Sequence, residues 1–406
     1  MAGGIDRVRA QYEVYPYPSR NPDDEARRLV VGSPSHLAEI EHYCFAGRLP
    51  RPFRALVAGG GTGDGLVMLA QQLHTRGIEA EVTYLDLSVA ARSVAEARIA
   101  RRGLRNVRFV TGSLLEVARL APGPFHYVDC CGVLHHLPDP DAGLLALVSV
   151  LAPDGALGLM LYGELGRTGV YPMQRALRLL AADLPPAEQV RLARRLLGGL
   201  PESNWLRRNP FLGDRQSESD ADLYDLLLHS LDRAYRVPQI LALLETAGLS
   251  LAAFIEPAKY EPATWIGDTV ILERSARLPE ADRWALAEDV AGAMKSHVFY
   301  AVRRARAGRS VARADAPDAI PVLREIQPAA IARTLARGGH LKVALDGREL
   351  RLPIPDGTAE IVAAIDGRRT SGEIARLLKL DQAEHAARFA RLSALLGPLN
   401  LLLCRY

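Results

Sequence analysis

The sequence is poor in cysteine and equally poor in lysine. Its 406 residues include four cysteines, Cys44, Cys130, Cys131 and Cys404. None forms a Cys-x-x-Cys pair and no spacing suits zinc, so neither a redox motif nor a metal finger is expected. A disulfide framework is not expected in a chain of this size, which points to a reducing compartment. Of the 50 basic residues only Lys259, Lys295, Lys342 and Lys379 are lysines, a bias that reads as genomic composition. Against 47 acidic residues they leave a formal charge of +3. That balance argues against a dedicated nucleic-acid binder, which carries a large basic excess. No apolar run reaches the ~20 residues of a membrane span. The longest, Ala142 to Gly163, is broken by the turn Pro153-Asp154-Gly155. The first residues lack the apolar core of a signal peptide, so the expected location is the cytoplasm, with non-classical secretion as the alternative. No internal repeat is present.

What is present is an ordinary globular composition, 49% hydrophobic and 24% charged. At one domain per ~150 residues the length allows two or three domains. Residues 1–50 are rich in Pro and Tyr and read as an N-terminal arm or lid. Strand and helix then alternate: strands over Arg54–Ala58, Glu81–Leu85, Val107–Val110, His126–Cys130 and Ala156–Tyr162, with helices between them. Such alternation builds a parallel sheet covered on both faces. Residues 166–235 read as a Leu- and Arg-rich helical insertion, placed either against the sheet or in a dimer interface. After a helix at Val237–Ala247, two β-like runs, Leu249–Ile255 and Thr264–Glu273, are expected to close an α/β domain spanning 51–275. Residues 276–406 read as a separate α+β unit. Its helices are signalled by Thr358–Ile365 and by the capping boxes that start at Thr370 and Asp381, and an apolar strand is expected at Leu399–Cys404.

Gly59, Gly61 and Gly63 follow the first strand directly and open a helix, so a ligand can approach the backbone closely there. Asp86 ends the second strand, 23 residues after Gly63. A carboxylate at that point can accept hydrogen bonds from ribose hydroxyls. The pattern is Gly-x-Gly-x-Gly rather than the Gly-x-Gly-x-x-Gly of a pyrophosphate binder, which favours an adenosine ligand without phosphates.

With these residues stand Leu56–Gly63, Tyr84–Ser88, Gly112–Leu115, Gly132–Leu137 and Leu151–Gly155, in order. Together they resemble the class I S-adenosylmethionine-dependent methyltransferases over roughly residues 50–165. The resemblance implies a Rossmann-like α/β sheet and S-adenosylmethionine as cofactor. It implies that Gly59, Gly61 and Gly63 pack against the methionine part and ribose, and that Asp86 holds the ribose hydroxyls with Leu87 beside it. Gly112, Ser113 and Leu114 would receive the adenine. Ser113 stands where many members carry Asp, and Val57 stands at a position that is often acidic. Tyr12–Pro18, Leu161–Arg167 and Asp222–His229 extend the resemblance to bacterial multidomain protein lysine methyltransferases of mycobacterial and rickettsial type. That implies a basic protein substrate such as a histone. A small-molecule acceptor is the rival reading.

Methyl transfer to lysine calls for alignment, desolvation and loss of a proton from the ammonium. Tyr12, Tyr15 and Tyr17 are candidates for an aromatic wall that tolerates methylammonium; the alternative is packing of the arm. His135 and His136 follow the fourth strand at the carboxyl edge, where one of them can orient or deprotonate a nucleophile. Two adjacent histidines without a third ligand indicate no metal. Tyr162 and Glu164 end the fifth strand; Glu164 is expected to attract a substrate ammonium or to pair with Arg167. The run Glu218, Asp220, Asp222 and Asp225 reads as a solvated face or as a docking strip for a basic protein. A homodimer is expected through the insertion, with no membrane partner. A helix-turn-helix reading of Thr370–Leu380 is weak, because that helix offers only Arg376 and Lys379 to a phosphate backbone.

Overall fold

The computed structural model describes residues 2–212 and 219–406. Its centre is a seven-stranded sheet: β1 (Phe53–Ala58), β2 (Ala80–Asp86), β3 (Val107–Thr111), β4 (Phe125–Cys131), β5 (Leu151–Tyr162), β6 (Leu249–Phe254) and β7 (Ser296–Arg303). The strands lie in the order β3-β2-β1-β4-β5-β7-β6, with β7 antiparallel to both neighbours. β1 and β4 are buried along almost their whole length and β2 over Val82–Leu85, as expected of parallel strands covered on both faces. Their apolar side chains divide between two cores, one on each side of the sheet. The five parallel strands β1 to β5 therefore deliver their carboxyl ends to one edge.

The run Thr264–Glu273 is not a strand. Pro262–Trp265 and Thr269–Ser275 are short helices, and the Asp268 carboxylate caps the second by accepting from the Ile271 N–H at 3.0 Å. Val270 and Ile271 are 64% and 49% exposed, so this apolar run has no second layer to bury it. The closing strand is β7, twenty residues beyond the expected domain boundary. There His297, Phe299, Tyr300, Ala301 and Val302 are all buried. The central sheet is thus complete only at Arg303, and a boundary at Ser275 would cut it.

Residues after β7 have a core of their own, around Ile331, Leu335, Ile361, Ile374, Phe389 and Leu396. β8 (Ile320–Leu323) pairs with the C-terminal β11 (Leu402–Arg405), while β9 (His340–Leu345) and β10 (Arg348–Pro353) form a hairpin. Thr370 caps its helix through the expected reciprocal box with Glu373, and Asp381 caps the next. This unit is not detached. The Asn400 side-chain amide donates to Glu39 at 2.7 Å, and the Tyr43 hydroxyl donates to Asn400 at 3.0 Å. The C-terminal strand therefore closes onto the N-terminal arm. The helices of 166–235 pack their Leu-rich faces around Val170, Met173, Leu177, Val190 and Leu223, next to Tyr15. Among the described residues no helix is long and apolar enough to cross a membrane.

A chain ending at Ser275 lacks β7 and leaves β5 and β6 without a shared neighbour. It is expected to show no cooperative thermal transition by circular dichroism, whereas the full chain melts cooperatively. A truncated protein with a comparable sharp melt would contradict this placement of β7.

Candidate functional site

A cavity of about 480 Å³ opens at the carboxyl edge of β1, β2, β4 and β5. Gly59, Gly61, Asp86, Leu87, Gly112, Ser113, Leu114, Tyr17 and His136 all line it, as the sequence motifs imply. One half is built from the glycine turn. Gly61 has φ +51°, and a Cβ there would meet the Tyr17 carbonyl oxygen at 2.7 Å. The Gly61 N–H donates to Asp86 Oδ2 and the Ser88 N–H to Oδ1, each at 2.8 Å. The carboxylate is thereby fixed with lone pairs to spare for a pair of ligand hydroxyls. Burial raises its pKa, and the backbone donors pull it back in part. The Ser113 hydroxyl oxygen accepts from the Leu115 N–H at 3.2 Å, so its own proton remains available to a ligand. This cradle fits an adenosine-bearing molecule. Gly63 plays a different part from the one expected. It precedes the helix Asp64–Thr75 with φ +98°, and a Cβ would press on Ala95 at 3.0 Å. Its role is helix packing, and it does not line the cavity.

The arm roofs the cavity and is tied to the glycine turn. The Thr62 hydroxyl donates to the Pro18 carbonyl at 2.6 Å. Arg20 grips Asp64 through its Nε at 2.8 Å and through Nη2 at 2.6 Å. Arg98, 1% exposed, donates to Glu25 of the arm, to the Thr62 carbonyl and to Asp64 at 2.7, 2.8 and 2.7 Å. Burial alone would raise the Asp64 pKa, but the two guanidinium groups bring it below its ordinary value.

The other half is a polar cluster that sequence reasoning located only in pieces. Tyr12 donates to Asp225 Oδ1 at 3.1 Å and Tyr162 donates to Oδ2 at 2.9 Å. Burial, then the neighbouring carboxylate, raises both phenol pKa values, so both stay proton donors. His136 stacks on His229 with ring centroids 3.7 Å apart. The Leu231 peptide sets both tautomers. Its carbonyl accepts from His136 Nδ1 at 2.8 Å, and its N–H donates to His229 Nδ1 at 3.1 Å. The proton of neutral His229 therefore sits on Nε2, 3.1 Å from the Tyr12 oxygen, while the His136 lone pair sits on Nε2. Burial keeps His229 neutral. The ligand atoms of His136, Asp225 and His229 lie within 4.8 Å of one another. Yet a metal at His229 Nε2 would force a proton onto Nδ1, against the Leu231 N–H. The cluster is a hydrogen-bond relay in this arrangement.

Three expected residues stand elsewhere. Tyr15 packs on Tyr224 at 5.1 Å, beside the core of the insertion, and so serves the arm's packing. His135 is fully buried, stacked on Tyr162 at 4.0 Å, with neither ring nitrogen hydrogen-bonded among the described residues. Burial holds it neutral, so it supports Tyr162 and His136 rather than moving protons. Glu164 is exposed outside the cavity, and its expected partner Arg167 pairs with buried Asp232 at 3.0 Å instead. The acidic run is no strip. Asp225 is buried in the relay, Asp222 lines the cavity, and Asp220 pairs with Arg194 at 2.7 Å. Glu218 lies outside the described residues. Asp129, His229 and the catalytic-edge position of Asp225 were not anticipated; the only local signal was the stretch Asp222–His229.

Residues 56–157 match the family model of a methyltransferase domain. An uncharacterized protein of Synechococcus sp. is 34% identical over 297 residues, covering 69% of this chain and 67% of that protein. A ubiquinone biosynthesis O-methyltransferase of Thiobacillus denitrificans is 28% identical over 180 residues, covering 41% of this chain and 74% of its own. In structure, PKMT2 from Rickettsia typhi matches with a TM-score of 0.63 at 14% identity, over 91% of this chain and 76% of that one. Its complex with AdoHcy matches at 0.59 and 15% identity, over 91% and 74%.

Replacing Arg98 by Met leaves the Glu25 carboxylate buried beside Arg102 alone. The expected loss is about 3–5 kcal/mol of unfolding free energy, measured by urea denaturation. A change below ~1 kcal/mol would show that the arm is held by other contacts.

Proposed function

The chain belongs to the class I S-adenosylmethionine-dependent methyltransferases, and on that premise we propose that it methylates the side-chain amine of lysine in a basic protein. S-adenosylmethionine is the cofactor, and when bound it supplies an electrophilic methyl group at a sulfonium. Asp86 and the Gly59–Gly61 turn would hold its ribose, and Gly112–Leu114 its adenine.

The observation that carries the acceptor assignment is the composition of the cavity's other half. Tyr12, Tyr17 and Tyr162 provide aromatic faces, and Asp222 and Asp225 provide carboxylates. That combination attracts an ammonium and tolerates its methylated forms. A lysine ammonium, with an ordinary pKa of about 10.4, must shed a proton before it attacks. Burial among these rings favours the neutral amine. The lone pair of His136 Nε2 receives the proton, and Asp225 steadies the imidazolium across the relay. The roof formed by the arm excludes water from the reacting centre. Acceptance of a histone is the narrowest form of this reading; its support is the charge of the acceptor half.

Lys295, at the rim of the same cavity, favours a second reading. A cation there suits an acidic phenol or carboxylate, in keeping with the O-methyltransferase among the relatives. In that case His136 would take the proton from a hydroxyl.

Incubation with labelled S-adenosylmethionine and a panel of basic proteins, free amino acids and phenolic acceptors separates the two. Label on lysine, mapped by mass spectrometry, is expected; label confined to small molecules would sink the first reading. His136→Gln is expected to lower kcat by about 10²–10⁴-fold with AdoHcy affinity unchanged by calorimetry. Full activity in that variant would remove His136 from proton transfer.

A further inference from the structure

Five carboxylates line the cavity; Asp222 has an interaction within the protein, and three more have partners that explain them. Asp64 is neutralised by Arg20 and Arg98, Asp86 is held by two backbone N–H groups, and Asp225 is held by two phenols. Asp129 is different. It lies near the end of β4, only 2% exposed, and it lines the cavity. Its Oδ2 accepts from the Ser35 hydroxyl, and the Cys131 backbone N–H also donates to the carboxylate. Among the described residues it has no ion pair. Its partner across the ladder, on β1, is the apolar Val57. A carboxylate removed from water without a counter-cation is costly unless a cation arrives with the ligand.

The surroundings keep the approach to it open. A Cβ at Gly65 would come within 2.5 Å of Ser35 Oγ and 3.4 Å of Asp129 Oδ2. Only a glycine at the start of that helix leaves this space to a ligand. Asp86 ends β2 and Asp129 lies two residues before the end of β4, on either side of β1, with the glycine turn between them. A nucleoside anchored by its ribose at Asp86 would lay its far end over the turn toward β4.

We propose that Asp129 binds the α-ammonium at the amino-acid end of the cofactor and so selects ligands that carry that charge. Asp129 is a binding residue of the cofactor half, and its role does not depend on which acceptor is methylated. Burial lifts its carboxyl to about 6 in the free protein, so the ionised form that would bind the ammonium is lost as pH falls through that value. The other groups facing it do not titrate there. Burial pushes the thiols of Cys130 and Cys131 and the Tyr127 phenol up, and Asp64 is pulled down by its arginines. Ser35, from the arm, carries no charge.

The test is calorimetric binding of AdoHcy and of its analogue lacking the α-amino group to the full chain and to Asp129→Asn. AdoHcy affinity is expected to fall about 10- to 100-fold in the variant, with the analogue's affinity unchanged. Unchanged AdoHcy affinity, or an equal loss for both ligands, would overturn the proposal, the latter pointing to a purely structural bond with Ser35. The wild-type protein gives a second measurement that needs no variant. The ratio of AdoHcy to analogue affinity is expected to drop as pH is lowered from about 7.5 to 5. A flat ratio over that range refutes the assignment even if Asp129→Asn fails to fold.

Discussion

Arg98 is the tie on which the cavity depends. One guanidinium, shut away from water on the helix Val89–Arg101, reaches the arm at Glu25, the glycine turn at the Thr62 carbonyl and the next helix at Asp64. Planar, five-donor geometry lets one side chain satisfy three elements at once, which a lysine could not do. Arg102 reinforces the Glu25 end, and Arg20 returns from the arm to Asp64. The consequence is geometric. The Tyr17 carbonyl is held so near Gly61 that the turn admits no side chain, and Tyr12 and Tyr17 are held over the cavity. The roof is thus an integral part of the turn and not an appendage laid over it.

Below that roof, carboxylates of one chemical type do different work because their surroundings differ. Two guanidinium groups keep Asp64 charged and occupied, which makes it structural. Asp86 accepts only backbone donors, so its remaining lone pairs face the cavity. Asp225 is buried among phenols and imidazoles and fixes their orientation through hydrogen bonds. The Leu231 peptide completes that order by donating to one imidazole and accepting from the other. The backbone N–H and C=O of this one residue thereby set which nitrogen of each ring carries the proton. His136 presents a lone pair because of where Leu231 lies.

The cofactor half was legible in the sequence because its signals are local. A glycine turn directly after an apolar run, and an acid at the end of the next, are fixed by strand geometry whatever the rest of the chain does. The five parallel strands were read from buried apolar runs for the same reason. The acceptor half is assembled from the arm, β4, β5 and the insertion, with Tyr12 and Asp225 213 residues apart yet hydrogen-bonded. No local pattern encodes such a meeting, so Tyr15 looked equivalent to Tyr17 and Asp225 looked like one more surface acid. Glu164 misled because proximity in sequence suggested Arg167, whereas Arg167 turns inward over the Tyr162 ring, 3.7 Å from its centroid, toward buried Asp232. The strand error has the opposite cause. Val270 to Leu272 is β-like in composition but finds no layer to cover it, while β7, equally apolar, slots between two strands.

That slot also changes what the C-terminal unit is. Because β7 arrives from beyond the short helices at 262–275, the chain cannot finish its catalytic sheet before it has crossed the interval toward the last domain. Once there, β11 returns to the arm, where Cys404 donates its N–H to His42 at 3.0 Å and Asn400 locks Glu39. Glu39 in turn accepts from the Tyr300 hydroxyl on β7 at 2.8 Å and pairs with Arg324 beyond β8. The two ends of the chain and the seventh strand therefore share one buried network beside the sheet. The arm that roofs the cavity is secured at its far end by residues from the C-terminal unit. The C-terminal unit is thus bonded to the same arm that roofs the cavity, through Asn400 to Glu39 and Cys404 to His42.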